Sequence, residues 1–406
     1  MLSYLQFARA NWRFVAFGFV LTGTSSYGQT FFIGIFGPEV QARFSLDHAE
    51  WGTIYMIGTL ASAMILPWTG KLIDQVDLRR YTLAVCGLGV LACVAMATAQ
   101  NVIMLVFAVF LLRQSGQGLM SHIAATSMAR YHEQSRGKAL AIASFGEGIG
   151  EAILPVLAVL LIIVIGWRAS YGVIAVILAV GLSPFLLWLL KGHSQRHEAY
   201  LQHRENARLE TGEKARSATR AEVLRDVRFW LLMPGLLAPA MIVTGLFFHH
   251  LNLADVKGWS HLWIAGNYFI YAIFGSSMAF VLGPLIDRFG AVRFLPWKLT
   301  PLILALVVVA QFDSPYVLWP YFILLGVSAG THVLVTAMWA EIYGVDHLGA
   351  IKSLVTALEV FASAIGPVLI GIMLVQGWGF STALYIFAGY SVVATVLLMF
   401  ALRRKA

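Results

Sequence analysis

The sequence carries little charge. Asp, Glu, Lys and Arg make up 12% of its 406 residues, and 59% of the residues are hydrophobic, whereas an average soluble domain has about 25% charged residues. A soluble chain of this composition would need a core larger than single domains usually build, and its apolar runs of about twenty residues would have no explanation. The composition therefore predicts an integral membrane protein.

Cysteine is scarce, and the motifs of several enzyme classes are missing. Cys86 and Cys93 lie in one apolar run, where they support neither a disulfide framework nor a metal site. The chain contains no nucleophile–base motif, no His cluster at metal-ligand spacing and no glycine-rich phosphate loop. We therefore expect a protein that is not an enzyme and that uses no cofactor and no metal.

Twelve apolar runs are long enough to cross the ~30 Å hydrocarbon layer of a bilayer. Six precede a polar stretch and six follow it, so an even number of spans places both termini on the same side. The predicted spans are 14–37, 49–69, 80–99, 103–125, 139–165, 169–190, 229–253, 261–283, 296–312, 316–340, 350–375 and 379–402.

Basic residues are segregated by side, which makes the net charge of +8 a matter of topology rather than of nucleic acid binding. With both termini inside, the outside loops hold only Arg43, Arg168 and Lys257, and Arg113 lies within a span. The remaining Lys and Arg face the inside. The positive-inside rule then predicts a multi-pass protein of the cell inner (plasma) membrane with cytoplasmic N- and C-termini.

The chain contains an internal repeat. Residues 130–157 align without gaps with residues 342–369, and Glu147 then coincides with Glu359. Because six spans separate equivalent positions, the two halves have the same orientation in the membrane. This pattern favours a solute site between two similar bundles.

These observations predict an all-α membrane protein of twelve transmembrane helices in two parallel-repeat six-helix bundles. The N-terminal bundle covers 1–190 and the C-terminal bundle covers 229–406. Charges of both signs alternate along 191–228, which indicates a cytoplasmic linker with partial helix.

Two loops carry a family signature. The segments GKLIDQVDLRR at 70–80 and GPLIDRFGAVR at 283–293 resemble the loop motif of the major facilitator superfamily. In that motif a glycine precedes an aspartate by four residues, and basic residues and a further glycine follow. The first copy departs from it at Gln75 and Asp77. With the spans, the repeat and the central loop, the resemblance covers essentially the whole chain and implies a secondary transporter that works by alternating access.

The resemblance also implies a conformational latch in these loops. The two aspartates would accept hydrogen bonds from a helix N-terminus and pair with basic residues, and the small glycines would allow close helix approach. The alternative is that the loops serve topology alone. The predicted latch residues are Gly70, Asp74, Arg80, Gly283, Asp287 and Arg288.

A second, narrower resemblance concerns the fifth span. The segment RGKALAIASFGEGIGEAILP at 136–155 has an Arg-Gly entry followed by small residues at helical spacing. It is similar to the corresponding helix of the monocarboxylate-type branch of the superfamily. This likeness implies an organic anion as the substrate.

A functional role is the default interpretation of a charged side chain inside a bilayer, and four of those in the predicted spans are our candidates: Arg113, Glu147, Glu151 and Glu359. Glu147 and Glu151 are four residues apart on one helix face, and with Glu359 they are our predicted proton-coupling residues. Arg113 remains charged and suits a carboxylate. Our hypothesis is that Arg113 exchanges an internal Glu for a substrate anion, and the alternative is a permanent salt bridge that fixes the packing of the fourth and fifth spans.

Other polar or aromatic side chains in the spans suit an apolar pocket with a few orienting contacts. For the aromatic and amide side chains the alternative is packing or a place in the aromatic belt. For His249 and His250 the alternative is a neutral, hydrogen-bonded helix histidine. Beside Arg113, the predicted substrate-binding residues are Tyr27, Gln29, Phe31, His249, Asn252, Asn267 and Tyr271.

The favoured function is symport of protons with a small organic anion, in particular a monocarboxylate, by a protein that works as a monomer in the bilayer and binds no nucleic acid. Two alternatives stay open. One is a proton antiporter that exports a cationic or drug-like compound. The other is a transporter-like solute sensor that signals through 191–228.

Overall fold

The computed structural model describes residues 2–132, 135–198, 220–343 and 348–403. Every regular element in these ranges is helical, which confirms the predicted all-helical class. Only the two ends of the predicted linker 191–228 lie within the described residues. Residues 193–198 and Arg220–Arg225 are helical.

The helices of the first part of the chain are α1 (Leu2–Ala10), α2 (Trp12–Ser25), α3 (Thr30–Ile35), α4 (Gly37–Phe44), α5 (His48–Lys71), α6 (Leu78–Thr98), α7 (Val102–Leu112), α8 (Ser121–Tyr131), α9 (Arg136–Val176) and α10 (Ser183–Leu189). Those of the second part are α11 (Arg220–Arg225), α12 (Val227–Lys257), α13 (His261–Gly266), α14 (Tyr268–Phe289), α15 (Thr300–Gln311), α16 (Leu318–Gly330), α17 (His332–Tyr343), α18 (Leu348–Val375) and α19 (Gly379–Arg403).

Nine helical stretches within the described residues are long and apolar enough to cross a membrane. They are His48–Asp74, Leu78–Thr98, Val102–Tyr131, Gly137–Leu189, Val227–Lys257, His261–Ile286, Pro315–Tyr343, Leu354–Val375 and Gly379–Arg403. The predicted fifth and sixth spans share one of these stretches, and the predicted ninth span corresponds to the shorter apolar helix Leu295–Gln311. The count of twelve spans and the cytoplasmic side of both termini stay predictions.

The chain divides into two compact units. Unit 1 comprises Met1–Phe36 and Ile57–Glu213, and unit 2 comprises Gly37–Met56 and Lys214–Ala406. In unit 1, α2 packs along α9 and α6 packs on α7. In unit 2 the repeat-equivalent pairs recur, because α12 packs along α18 and α15 packs on α16. The bundle boundaries 1–190 and 229–406 stay predictions.

Small residues set the distance between α2 and α9 in unit 1. A Cβ added to Gly146 would lie far inside van der Waals contact with the carbonyl oxygen of Phe19, and one added to Gly23 would lie 3.2 Å from the carbonyl oxygen of Gly146. Gly150, one turn further along α9, meets Gly23 in the same way. The small residues of the fifth span are thus a close helix–helix seam, as small residues often are in membrane proteins.

The predicted first span is interrupted. After α2 ends at Ser25, a short 3-10 turn covers Ser26–Gly28, and Gln29 is extended at φ −82° and ψ 155° before α3 begins. Such a break leaves backbone carbonyl groups without their helical donors, and within a membrane those groups must find partners inside the protein.

The boundary between the predicted fifth and sixth spans lies at one glycine. Within α9, Gly166 has φ 77° and ψ 161°, a backbone conformation that side chains with a Cβ rarely adopt. The helical stretch Gly137–Leu189 has 53 residues, about 80 Å at 1.5 Å per residue. This is more than twice the thickness of the hydrocarbon layer, so the stretch needs the change of direction that Gly166 provides.

Histidine and aromatic rings form a cluster beyond the end of α10. His193 is 2% exposed and packs against the rings of Phe14, Tyr131 and His197. Tyr131 also shares a hydrogen bond of 2.9 Å with Nδ1 of His197. Burial and then the nearby positive charge of Arg196 lower the pKa of His193 to about 4.

Because burial keeps His193 neutral in the fold while the unfolded chain takes up a proton near pH 6.5, stability is full above that pH and falls as the pH drops toward 4. Among the other nearby charges, Asp77 raises the pKa of His193, whereas His197 and Arg79 lower it. We expect His193→Phe to reduce the loss of unfolding free energy between pH 7.5 and pH 5 by on the order of 1–2 kcal/mol. Thermal unfolding of the purified variant and of the unsubstituted protein at both pH values measures this. An equal pH dependence in His193→Phe and the unsubstituted protein would contradict it.

Candidate functional site

Arg113 lies where the broken first span meets a distorted turn of the fourth. It is the first residue of a π-helical segment, Arg113–Met120, between α7 and α8, and it is 2% exposed. Its Nη1 donates to the carbonyl oxygen of Gly28 at 3.0 Å and to Oγ1 of Thr30 at 3.4 Å. The guanidinium thus satisfies a carbonyl at the point where α2 is interrupted.

The backbone at Gly28 also lies very close to the backbone of the π-helical segment at Gly116. A Cβ on Gly116 would lie 2.6 Å from the backbone nitrogen of Gly28, and one on Gly28 would overlap the carbonyl oxygen of Leu112. Short π-helical segments are rare and often occur at functional sites. The hydrogen bond to Gly28 gives Arg113 a structural role at the break of the first span. Its predicted exchange between an internal Glu and a substrate stays a hypothesis.

The two carboxylates of the fifth span follow the glycines of the seam in sequence. Gly146 and Gly150 face α2, and Glu147 and Glu151 are the next residue in each turn of α9. Oε1 of Glu147 accepts a hydrogen bond of 3.0 Å from Nε2 of Gln29. The structure therefore brings Gln29 and Glu147, which the sequence placed in separate predicted roles, into direct contact.

The remaining predicted residues of the first span have apolar surroundings. Tyr27 packs edge-to-face on Phe32, with ring centroids 5.2 Å apart, and it lines a groove of about 220 Å³ with apolar residues of α2, α9 and the π-helical segment Ile177–Leu182. Phe31 is buried. These positions are compatible with the packing alternative.

In unit 2, the predicted residues His249 and Asn252 belong to a buried chain of hydrogen bonds. Nε2 of His249 bonds the carbonyl oxygen of Pro367 at 2.9 Å, and Nδ1 lies 3.4 Å from Oδ1 of Asn252. Nδ2 of Asn252 donates to Oε1 of Gln41 at 3.1 Å, and Nε2 of Gln41 lies 2.9 Å from Nδ1 of His48. This series of hydrogen bonds connects α12 to both α4 and α18.

His250 lies between two tyrosines. Its Nδ1 and Nε2 are 2.8 Å and 2.7 Å from the hydroxyl groups of Tyr268 and Tyr321. A neutral imidazole donates from one nitrogen and accepts at the other, so both contacts are satisfied without a net charge. This arrangement agrees with the interpretation of these histidines as neutral and hydrogen-bonded.

The two other predicted substrate-binding residues of unit 2, Asn267 and Tyr271, contact neighbouring residues of the same unit. Nδ2 of Asn267 donates to the carbonyl oxygen of Trp263 at 2.7 Å, at the junction of α13 and α14. The ring of Tyr271 packs edge-to-face on Phe247 at 5.0 Å. The amide of Asn267 therefore has a local structural role, and its predicted contact with a substrate stays untested.

Unit 2 also contains a charged cavity of about 290 Å³. Its charged side chains are Lys298, Lys352 and Glu359, of which Lys298 is only 4% exposed. Charge attraction links Glu359 to both lysines. The predicted topology places Lys298 among the cytoplasmic basic residues, and the sequence signal for its burial is its position directly before the apolar run of α15. The cavity is lined by Leu236, Pro239, Ala240, Lys298, Ser328, Ala329, His332, Val335, Trp339, Lys352, Val355, Thr356 and Glu359.

In the first signature loop, Asp74 forms an ion pair with Arg130 at the end of α8, and Arg130 also donates to the carbonyl oxygen of Ile73 at 3.3 Å. A Cβ on Gly70 would lie 3.5 Å from the ring of His122, which is ordinary contact. Arg80 is exposed, and its N–H donates to the side chain of Asp77, the N-cap of α6.

The second signature loop is held in a different way. The backbone N–H groups of Ala291 and Val292 donate to the carboxylate of Glu341 near the end of α17. A Cβ on Gly283 would have nothing within 4 Å among the residues that the structure describes, and the close helix approach at this glycine stays a prediction. Arg288 packs over the ring of Phe289 at 5.1 Å. The side chain of Asp287 lies outside the described part of the chain, and the latch stays a prediction.

The sequence matches the profile of the Major Facilitator Superfamily at residues 16–333 and again at residues 268–406. It is 23% identical over 355 residues to the uncharacterized MFS-type transporter YfnC of Bacillus subtilis (strain 168), covering 83% of this chain and 80% of that protein. It is 27% identical over 191 residues to the riboflavin transporter RibJ of Trypanosoma cruzi (strain CL Brener), covering 46% of this chain and 40% of that protein.

Two crystal structures share the fold. One is a bacterial homologue of the human lysosomal transporter Spinster in an inward-facing and occupied conformation, with a TM-score of 0.70, 15% identity and coverage of 97% of this chain and 96% of that chain. The other is the nucleoside transporter NupG, with a TM-score of 0.69, 13% identity and coverage of 97% of this chain and 99% of that chain.

Proposed function

The chain belongs to the Major Facilitator Superfamily, and on this premise we propose that it moves a small organic anion across the membrane together with protons. The superfamily is a family of transporters and not of enzymes, and its members are multi-pass membrane proteins. The substrate class, the proton coupling and alternating access between the predicted bundles are our proposal. So are the cell inner membrane and the monomeric state.

The observation that supports an anion is the presence of cations among the side chains with the least solvent exposure. Among the side chains that the structure describes, the Asp, Glu, Lys and Arg residues classed as buried are Arg113 and Lys298. Both are cations. Lys298 forms no ion pair with a side chain that the structure describes. A buried charge without such a partner is costly, and a transported anion would supply the compensation while it is bound.

Proton coupling is supported by the carboxylates of the fifth span. Glu147 and Glu151 are one helical turn apart in α9, and a carboxylate within a membrane can take up and release a proton as its surroundings change during a transport cycle. The bond from Gln29 ties Glu147 to the interrupted first span. Movement of that segment would therefore change the environment of the carboxylate.

Counterflow in proteoliposomes at pH 5.5 and pH 7.5 tests the substrate class. The panel contains acetate, lactate and benzoate as monocarboxylates, uridine and riboflavin as the solute classes of the similar transporters, and tetraphenylphosphonium as a cation. We expect exchange of at least one monocarboxylate and faster net uptake with an inward proton gradient. Exchange confined to the neutral solutes or to the cation would contradict the proposal.

Replacing both carboxylates tests the coupling. In Glu147→Gln/Glu151→Gln we expect uptake driven by a pH gradient to fall at least about tenfold, equal to about 1.4 kcal/mol, while counterflow continues because it needs no net proton movement. Glu39→Gln, at an exposed position of α4, is the matched control. Undiminished gradient-driven uptake in the double variant would place the coupling elsewhere.

A second candidate is a proton antiporter that exports a cation. It is favoured by the same pair of carboxylates, since Glu147 and Glu151 can bind a cation as well as protons. The counterflow panel separates the two functions, because a cation exporter would exchange tetraphenylphosphonium and none of the monocarboxylates.

A further inference from the structure

We propose that the cavity of unit 2 binds the carboxylate of the substrate, with Lys298 as the anchoring cation and Glu359 as the internal group that competes for it. The ligand class is a compact monocarboxylate with an apolar body. This assignment rests on the proposed function, because it presumes a transported anion. It places the substrate contact on a residue that the sequence analysis assigned to topology.

The surroundings of Lys298 point to a missing anionic partner. The residue precedes α15, and its side chain is 96% buried in the wall of the cavity. It makes no hydrogen bond or ion pair with any side chain that the structure describes. A buried ammonium without a close partner is strongly disfavoured. A ligand carboxylate in the cavity would supply both the charge and the acceptor oxygens.

The balance of charge favours a single carboxylate. Lys298 and Lys352 carry two positive charges, and Glu359, half-buried on α18, carries one negative charge. Glu359 attracts both lysines at a distance beyond that of a direct ion pair. One ligand carboxylate makes the cavity neutral, whereas an ionised dicarboxylate leaves an excess negative charge.

The walls define the rest of the ligand. Most of the lining is apolar, with Leu236, Val335, Trp339 and Val355 among the side chains that face the cavity. Its volume of about 290 Å³ equals that of roughly ten water molecules at about 30 Å³ each. This is the lower end of the size of small-molecule sites. A small aliphatic or aromatic acid fits these dimensions and this polarity.

Two buried donors beside the cavity also lack partners. Oγ of Ser328 and Nε1 of Trp339 have no hydrogen-bond partner within the described part of the chain, and both residues line the cavity. Buried polar groups are normally hydrogen-bonded. A small shift of either side chain on ligand binding would bring its donor to a carboxylate oxygen, so these residues complete a site with several donors.

The first test compares lysine variants of the full chain in proteoliposomes, with acetate, lactate and benzoate as probes. We expect Lys298→Gln to reduce counterflow of each transported monocarboxylate at least tenfold and Lys298→Arg to retain part of it. The matched control is Lys257→Gln, which removes a lysine of unit 2 that is paired with Asp313 outside the cavity. We expect Glu359→Gln to bind the same carboxylate more tightly, because the internal group that competes for Lys298 is then uncharged.

The second test does not depend on the folding of a lysine variant. A negatively charged thiol reagent is applied to Thr356→Cys, which places a thiol in the cavity, and to Thr98→Cys, at an exposed position at the end of α6. The native cysteines are buried. We expect benzoate to slow modification of Thr356→Cys at least threefold, benzamide to have no such effect, and Thr98→Cys to react equally with and without benzoate.

The outcomes separate this assignment from the proposed function. Carboxylate counterflow that is unchanged in Lys298→Gln, or modification of Thr356→Cys that benzoate does not slow, overturns the site while the anion transporter stands. Absence of carboxylate counterflow in the unsubstituted protein overturns the proposed function and this assignment with it.

Discussion

Gly146→Ala is expected to prevent unit 1 from folding, whereas Gly148→Ala, two residues further along the same helix, is expected to leave it intact. The added methyl group at Gly146 would occupy the space of the carbonyl oxygen of Phe19 and of the hydroxyl of Thr22. One of these is a backbone atom of a packed helix, so α2 and α9 would have to separate. Overpacking of a helix seam by this amount costs about 3 kcal/mol or more.

The control is matched in helix, residue type and substitution. A Cβ on Gly148 would have no described atom within 4 Å, and alanine is a better helix former than glycine by up to about 1 kcal/mol. Size-exclusion profiles and melting temperatures of the purified variants measure the difference. Recovery of Gly146→Ala as a monodisperse protein with an unchanged melting temperature would show that the seam is less tightly packed than the structure indicates.

Arg113→Gln is expected to lower both the melting temperature and the transport rate. The substitution removes the donor to the carbonyl oxygen of Gly28, and a buried carbonyl without a donor costs about 1–3 kcal/mol. Because Gly28 ends the interruption between α2 and α3, the loss would destabilise the segment that also carries Gln29 and its bond to Glu147. Transport should fall by at least about tenfold, the equivalent of 1.4 kcal/mol.

A second arginine of unit 1 provides the control for Arg113→Gln. Arg168 donates to the carbonyl oxygens of Ala97 and Ala99 at 2.9 Å and 2.6 Å, at the end of α6. Arg168→Gln therefore removes similar bonds at a place without embedded carboxylates, and transport should persist. If Arg113→Gln kept its melting temperature and lost only substrate affinity, Arg113 would be a substrate ligand, as the sequence-based hypothesis has it, rather than the support of the broken helix.

Much of the architecture could be predicted because hydropathy and repeats are properties of the sequence itself. The all-helical class follows from long apolar runs, and the superfamily follows from the signature loops together with the repeat. The profile match across the chain confirms the superfamily. The break at Ser26–Gly28 was missed because apolar residues continue on both sides of it, and hydropathy does not distinguish a continuous helix from an interrupted one.

The partners of the charged residues could not be predicted in the same way. The sequence shows that Arg113 is a charged residue inside an apolar run. It does not show that the side chain donates to the carbonyl oxygen of Gly28, which lacks a helical donor because the first span is interrupted there. Lys298 was interpreted as a loop residue because its burial is produced by α12, α17 and α18, which are distant in sequence.

The two signature loops also differ in how they would respond to dissolved ions. The loop after α5 is held by two full charges, Asp74 and Arg130, and the aspartate is 59% exposed, so salt screens this attraction. The loop after α14 is held by backbone N–H groups that bond the carboxylate of Glu341, and such bonds depend more on geometry than on long-range attraction. Rising ionic strength would therefore loosen the loop of unit 1 before that of unit 2, although both loops descend from one repeated motif.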